Sequence, residues 1–140
     1  MTLTKDWSER EAQANWDGKE LQGIDSPLFA NFDDPTAGRT LVAAAVPVPA
    51  GTQLADWRAA MVRAAPSVCS DSPSAKNMTL GGEPALVWTA TCSDGYHVIK
   101  LAALHGSRGY MVFLPSQAAD DDAANRRTFE SIRQSFRFTG

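Results

Sequence analysis

Residues 77–115 read NMTLGGEPALVWTATCSDGYHVIKLAALHGSRGYMVFLP, in which apolar runs alternate with glycine-containing turn signals. The signals are Gly81-Gly82, Asp94-Gly95 and the glycine-bounded segment 105–109. Tight turns of this kind join antiparallel neighbours, so the stretch predicts an antiparallel meander that ends at Pro115. The predicted strands are 77–80, 85–92, 96–104 and 110–114.

The predicted strand 96–104 is apolar on both of its faces. Val98 and Leu104 lie on one face, and Ile99 and Leu101 lie on the other. Strands with two apolar faces occur where a sheet is covered on both sides. We therefore expect both faces of the meander to be covered at this strand.

The segment before the meander supplies a strand and a helix. Residues 41–48 predict a strand with Val42, Ala44, Val46 and Val48 on one face, and the prolines at 47 and 49 end it or place that end at a sheet edge. Thr52 is a suitable N-cap for a helix that Pro66 stops near Ala65. The apolar stripe of this helix has helical spacing and consists of Leu54, Trp57, Met61, Ala64 and Ala65.

The segment after the meander predicts a second helix. Three aspartates at 120–122 open it and arginines lie toward its end, as the helix macrodipole favours. Phe129, Ile132 and Phe136 mark its buried stripe. We expect this helix to cover one face of the meander and residues 136–138 to return to the sheet as a final strand. These elements predict an α+β fold, an antiparallel sheet flanked by helices.

The N-terminal part has weaker patterns. Residues 10–16 favour a strand, and residues 25–38 favour a loop because they contain two prolines and an aspartate pair. Phe29 and Phe32 of this loop, together with Trp16, either pack into the core or form a binding surface. Core packing is the commoner role of aromatic side chains in small domains, and the binding surface is the functional alternative.

Size and composition predict one domain over residues 1–140. The chain is 44 % hydrophobic and 21 % charged, as expected of a globular protein. A net charge of −3, with 13 Lys and Arg spread thinly, argues against a nucleic-acid partner. No apolar run approaches the roughly 18–20 residues that span a bilayer, so no membrane span is predicted.

Cys69 and Cys92 are the only cysteines, and both lie beside polar turns. We favour a disulfide between them, which would tie a helix end to a strand end. Two buried free thiols are the next interpretation. A zinc site that adds His97 and His105 is the least favoured, because the spacing matches no zinc motif.

No catalytic, metal or cofactor motif is predicted. Ser107 lies in a Gly-Ser-Arg-Gly segment between two strands, whereas a nucleophile elbow needs a strand-to-helix turn. His97 has only Asp94 as a nearby orienting carboxylate. The two aspartates at 33–34 and the three at 120–122 lack the alternating ligands of a calcium loop, and they fit a turn and a helix start.

Several short segments resemble the PsbP-like (Mog/PsbP) fold family over roughly residues 38–139. They are Ala55-Asp56-Trp57-Arg58, Gly81-Gly82-Glu83-Pro84-Ala85, Arg108-Gly109-Tyr110, Phe129-Glu130-Ser131-Ile132 and Ser135-Phe136. The resemblance implies an α/β/α sandwich around an antiparallel sheet, and a binding or accessory role without enzymatic activity. It is strongest toward small high-GC bacterial domains that occur alone, as lipoproteins or outside membrane-anchored kinases.

Three functions follow as hypotheses. The first is an extracytoplasmic binding or sensor-type accessory domain, secreted or lipid-anchored, with an export signal removed and with an unknown protein or small-molecule ligand. The cysteine pair favours this setting. The second is a cytoplasmic interaction subunit that binds a protein through residues 25–38. The third, a small hydrolase using Ser107 or His97, is the least favoured.

Overall fold

The computed structural model describes residues 2–3, 8–10, 30–34, 39–65, 68–93, 95–117 and 122–138. In chain order, these residues form β1 (Thr2–Leu3), β2 (Ser8–Arg10), β3 (Ala30–Asp34), β4 (Arg39–Pro47), α1 (Leu54–Ala64), β5 (Cys69–Asp71), β6 (Lys76–Leu80), β7 (Glu83–Cys92), β8 (Tyr96–His105), β9 (Arg108–Gln117), α2 (Asp122–Ser135) and β10 (Phe136–Arg137).

The main sheet is antiparallel throughout and has the order β2-β3-β4-β9-β8-β7. Both β5 and β6 pair with the remaining side of β7, at different heights along it. The predicted meander is confirmed, because consecutive hairpins join β6, β7, β8 and β9. The α+β class with an antiparallel sheet is confirmed as well.

Two hydrophobic clusters cover the two faces of this sheet. On one face, Phe129 of α2 and Phe136 pack against Leu101, Ala103 and Val112 of the central strands. On the other face, α1 presents Trp57 and Met61 to a cluster that includes Trp88, Ala102 and Met111. Since β8 supplies buried residues to both clusters, the expectation of two covered faces is confirmed.

The hairpin turns are tight, as their glycines predict. Gly81 and Gly82 both have positive φ, 56° and 86°, which suits a two-residue turn between antiparallel strands. The β8–β9 turn consists of Gly106 and Ser107 alone and is shorter than the predicted segment 105–109. The Ser107 carbonyl accepts a hydrogen bond of 3.0 Å from the Val48 N–H.

Strand β9 continues through Pro115, which was predicted to end it. Pro115 is in register with Val98 of β8, and β9 reaches Gln117. Strand β4 pairs with β9 only as far as Phe113. The proline therefore lies beyond the part of β9 that needs backbone donors on both sides, where a missing N–H is tolerated.

Residues 30–34 form strand β3, although the segment 25–38 was predicted to be a loop. Strand β3 pairs with β4, with Phe32 opposite Leu41. A partner strand outweighs the low strand propensity of the Asp33-Asp34 pair. Strand β2 begins at Ser8 and ends at Arg10, and the rest of the strand predicted over 10–16 lies outside the described residues.

Helix α1 begins one residue later than predicted. Its N-cap is Gln53, whose side chain makes no capping hydrogen bond. The Thr52 hydroxyl instead donates to the Pro49 carbonyl over 2.6 Å, which removes it from the capping position. The helix ends at Ala64, ahead of Pro66, as predicted.

The C-terminal helix and strand are present, but the strand does not join the main sheet. Strand β10 pairs with β1, with Leu3 opposite Phe136, so the predicted return to the meander is wrong. The Phe136 side chain is completely buried on the face of the main sheet. Its backbone therefore lies one layer above the sheet and cannot extend the ladder. Asp120 and Asp121 lie outside the described residues.

Gly109→Ala is expected to lower the free energy of unfolding by about 1–3 kcal/mol, as overpacking does. A methyl group on Gly109 would lie 2.6 Å from Cε2 of Trp57. The indole is buried and cannot easily move, because its Nε1 donates to the Tyr110 carbonyl over 3.0 Å. Urea unfolding would measure the loss. A Gly109→Ala/Trp57→Phe variant should lose less than the sum of the single changes, and full additivity would contradict the clash.

Candidate functional site: a groove beside helix α2

A disulfide links Cys69 of β5 to Cys92 of β7, as predicted. The two residues are directly opposite in the ladder, and their Cα atoms are 3.9 Å apart. The bond therefore ties two strand ends, where a helix end and a strand end were expected. The free-thiol and zinc interpretations are wrong, because both sulfurs are bonded.

Next to the disulfide, Asp71 and Lys100 form a buried ion pair on the α1 side of the sheet. The Lys100 Nζ donates to both carboxylate oxygens of Asp71, over 3.1 and 3.0 Å, and both side chains are at most 5 % exposed. The Trp88 Nε1 donates to the same carboxylate over 2.8 Å. With both charges paired and hydrogen-bonded, this cluster is a structural element of the sheet.

Arg58 of α1 connects the helix to the same region. Its Nη2 donates to the Ser72 carbonyl over 2.6 Å, and its guanidinium lies 4.7 Å from the centre of the Trp88 ring. Within the described part of the chain, its buried Nε has no acceptor. Arg58 therefore holds the segment between β5 and β6 against α1.

That segment, residues 72–75, interrupts the strand at this edge of the sheet. Strand β5 ends at Asp71 and β6 begins at Lys76, while both pair with β7. The Ser72 N–H still donates to the Thr89 carbonyl over 2.9 Å. The interruption leaves the middle of β7 without a continuous neighbour and helps to shape a concave surface there.

A groove of about 1060 Å³ lies at this place, between α2 and the strands β6, β7 and β8. Its floor is apolar, because Met78, Val87 and Ile99 line it. These side chains are only partly buried and pack against the α2-side cluster. Phe129 adds an apolar wall from the helix. The surface can therefore accept an apolar group.

Charged side chains line the same groove. Lys76, Arg126 and Arg133 are cationic and Glu130 is anionic, in a chain whose net charge is −3. The Arg133 guanidinium hydrogen-bonds to Glu130, which lowers the pKa of the glutamate and raises the pKa of the arginine. Among the described residues, Lys76 and Arg126 have no ion-pair partner. The groove therefore has excess positive charge.

His105 of β8 lies beside a carboxylate, a pairing that the sequence did not predict. Its Nδ1 lies 3.2 Å from Oε1 of Glu83, and its ring stacks on Phe138 with centroids 4.4 Å apart. His97 lies in β8, opposite Ser116 of β9. The described residues contain no group of three His, Cys, Asp or Glu that could hold a metal ion.

The predicted aromatic surface is only partly within the described residues. Phe32 lies in β3, which β4 and β9 separate from β8 and from the groove. Trp16 and Phe29 lie outside the described residues. The groove itself was missed, because its residues come from segments that are distant in sequence. A signal was available in Lys76, which follows the polar turn at 72–75, and in the arginines of the second helix.

Comparisons with known proteins identify the type of fold. No family model and no curated protein matches the sequence. Among solved structures, the solution structure of cyanobacterial PsbP (CyanoP) from Synechocystis sp. PCC 6803 superimposes with a TM-score of 0.55, covering 95 % of this chain and 82 % of that one. The fold is PsbP-like.

A second PsbP-like neighbour is LpqN, a protein involved in cell envelope biogenesis of Mycobacterium tuberculosis. Its crystal structure superimposes with a TM-score of 0.56, covering 98 % of this chain and 87 % of that one. Sequence identity is 14 % to each of the two proteins, so the likeness is one of fold. Neither of the helices described here is long and apolar enough to cross a bilayer.

Proposed function

We propose that this chain is a single extracytoplasmic, non-enzymatic accessory domain that binds its ligand in the groove beside α2. The observation that carries the proposal is the groove itself, an apolar floor beside charged side chains. Ligand sites in proteins are concave and mostly apolar, with a few polar groups that orient the ligand. The groove has this composition.

The disulfide is the main support for the proposed compartment. Bonds between structural cysteines persist in oxidising compartments and are rare in the cytosol. The Cys69–Cys92 bond therefore supports an extracytoplasmic setting. The envelope role stated for LpqN, a neighbour in fold, agrees with this setting.

The proposal predicts where ligands will perturb the protein. The folded chain would be titrated with a panel of lipids, sugars, nucleotides and short peptides. When a member binds, the backbone amide NMR signals of residues in β6, β7 and α2 should shift. Perturbations confined to β3 and β4, around Phe32, would contradict the groove and favour an aromatic surface. Chemical turnover of a panel member would contradict the non-enzymatic role.

Val87→Arg tests whether the groove is the site. Val87 is half-buried on the groove floor, and a guanidinium there would fill the space that a ligand needs. We expect it to weaken binding of any panel member by about tenfold or more, the equivalent of about 1.4 kcal/mol. Val46→Arg is the matched control, because Val46 is a half-buried strand valine on the opposite face of the sheet. Equal losses in both variants would contradict the site.

A further inference from the structure

We propose that the ligand of the groove is a single-chain lipid with an anionic headgroup. This inference rests on the proposed function, since it uses the same groove, and it adds the chemical class of the ligand. The alkyl chain would lie on the apolar floor, and the headgroup would bind Lys76 and Arg126. Each part of the argument depends on a different feature of the groove.

The floor favours an alkyl chain. Met78, Val87 and Ile99 come from three adjacent strands, where they are diagonal neighbours on one face of the sheet. They belong to the partly buried rim of the α2-side core, and Phe129 borders them from the helix. A chain on this floor would remove exposed apolar surface from water, which is the main favourable contribution to binding such ligands.

The charges favour an anionic headgroup. The Arg133 guanidinium donates hydrogen bonds to the Glu130 carboxylate, so this pair of opposite charges contributes little net charge to the groove. Lys76 lines the groove from the sheet and Arg126 lines it from α2, and both side chains are exposed. An anion in the groove therefore has cations on two different elements. Hydrogen bonds from such groups to phosphate or carboxylate are about twice as strong as neutral ones.

Other ligand classes fit less well. A free phosphate or a nucleotide would leave the apolar floor in water, and a neutral or cationic amphiphile would gain no charge-assisted hydrogen bond from Lys76 and Arg126. An acidic peptide could instead add a strand to β6. That strand has five residues and the break at 72–75 precedes it, so it offers only a short edge for pairing.

Decyl phosphate, used below the concentration at which it forms micelles, is the probe for the test. Calorimetry with the full chain should show binding, with inorganic phosphate about 100-fold weaker or more because it lacks the chain. Decyltrimethylammonium and decyl maltoside should each bind at least about tenfold more weakly than decyl phosphate. Equal affinity for the phosphate and ammonium probes would overturn the proposal, as would equal affinity for inorganic phosphate.

Charge reversal locates the headgroup. Arg126→Glu and Lys76→Glu should each weaken the binding of decyl phosphate by about tenfold or more. Arg127→Glu is the matched control, since Arg127 is exposed on the same helix and does not line the groove. All three positions are exposed, so thermal melts should be close to that of the parent protein. A loss in Arg127→Glu as large as in Arg126→Glu would overturn the assignment.

The same experiments separate failure of the ligand class from failure of the groove. If decyl phosphate does not bind but an acidic peptide or another panel member shifts the groove amides, the lipid proposal fails and the binding function stands. If no panel member shifts them, both fail.

Discussion

Lys100→Met should lower the free energy of unfolding by about 3–5 kcal/mol, the range observed when one partner of a buried ion pair is removed. Asp71 and Lys100 are at most 5 % exposed, so the remaining carboxylate has no access to water. Among the described residues, the Trp88 indole alone would still donate to it. The methionine side chain has a volume similar to that of lysine. The unpaired charge should therefore account for most of the loss in the free energy of unfolding.

Urea unfolding near neutral pH would measure the loss. Lys76→Met provides the control, because Lys76 is exposed and its change should stay within about 0.5 kcal/mol. A loss below about 1 kcal/mol in Lys100→Met would contradict the buried pair.

The charge can be separated from the packing by a second substitution. Asp71→Asn/Lys100→Met removes both charges, while the asparagine carbonyl can still accept from Trp88 Nε1. We expect this double variant to regain much of the stability that Lys100→Met loses, because neutral replacement of a buried pair is often tolerated. No recovery would mean that the cost comes from packing around the Lys100 stem.

The central strands could be predicted because their information is local. Gly81-Gly82 and Asp94-Gly95 predicted the β6–β7 and β7–β8 turns, and the two apolar faces of β8 predicted that the sheet is covered on both sides. The ion pair could not be predicted from local sequence. Lys100 interrupts an apolar strand and Asp71 follows Ser70 near a turn, so each has an ordinary local explanation. Only the pairing of β7 with both β5 and β8 brings them together.

The groove was missed for the same reason. Arg126 and Arg133 fit a helix with basic residues toward its end, and Met78 and Val87 fit a strand pair. Nothing in the local sequence indicates that the helix leaves those two apolar side chains partly open. The strand β3 was also missed, because its polar residues favour a loop unless a partner strand is known. Long-range pairing therefore determines both the edge of the sheet and the candidate site.

The second large effect is expected at the disulfide. Replacing both Cys69 and Cys92 by alanine should lower the free energy of unfolding by about 3 kcal/mol, since the bond closes a loop with a sequence separation of 23 residues. Calorimetry or urea unfolding would measure it. Reductant should destabilise the parent protein by a similar amount and leave the double variant unchanged. A parent protein that is insensitive to reductant would contradict a stabilising bond.

The disulfide should also affect the ion pair, because Asp71 lies in the same short strand as Cys69. Strand β5 has three residues, and in the part of the chain that the structure describes it pairs with β7 alone. Without the bond, β5 can detach locally, which would let the Asp71 carboxylate reach water at lower cost. Lys100→Met should then cost less in the Cys69→Ala/Cys92→Ala background than in the parent protein. Strictly additive losses would instead show that β5 stays in place without its cross-link.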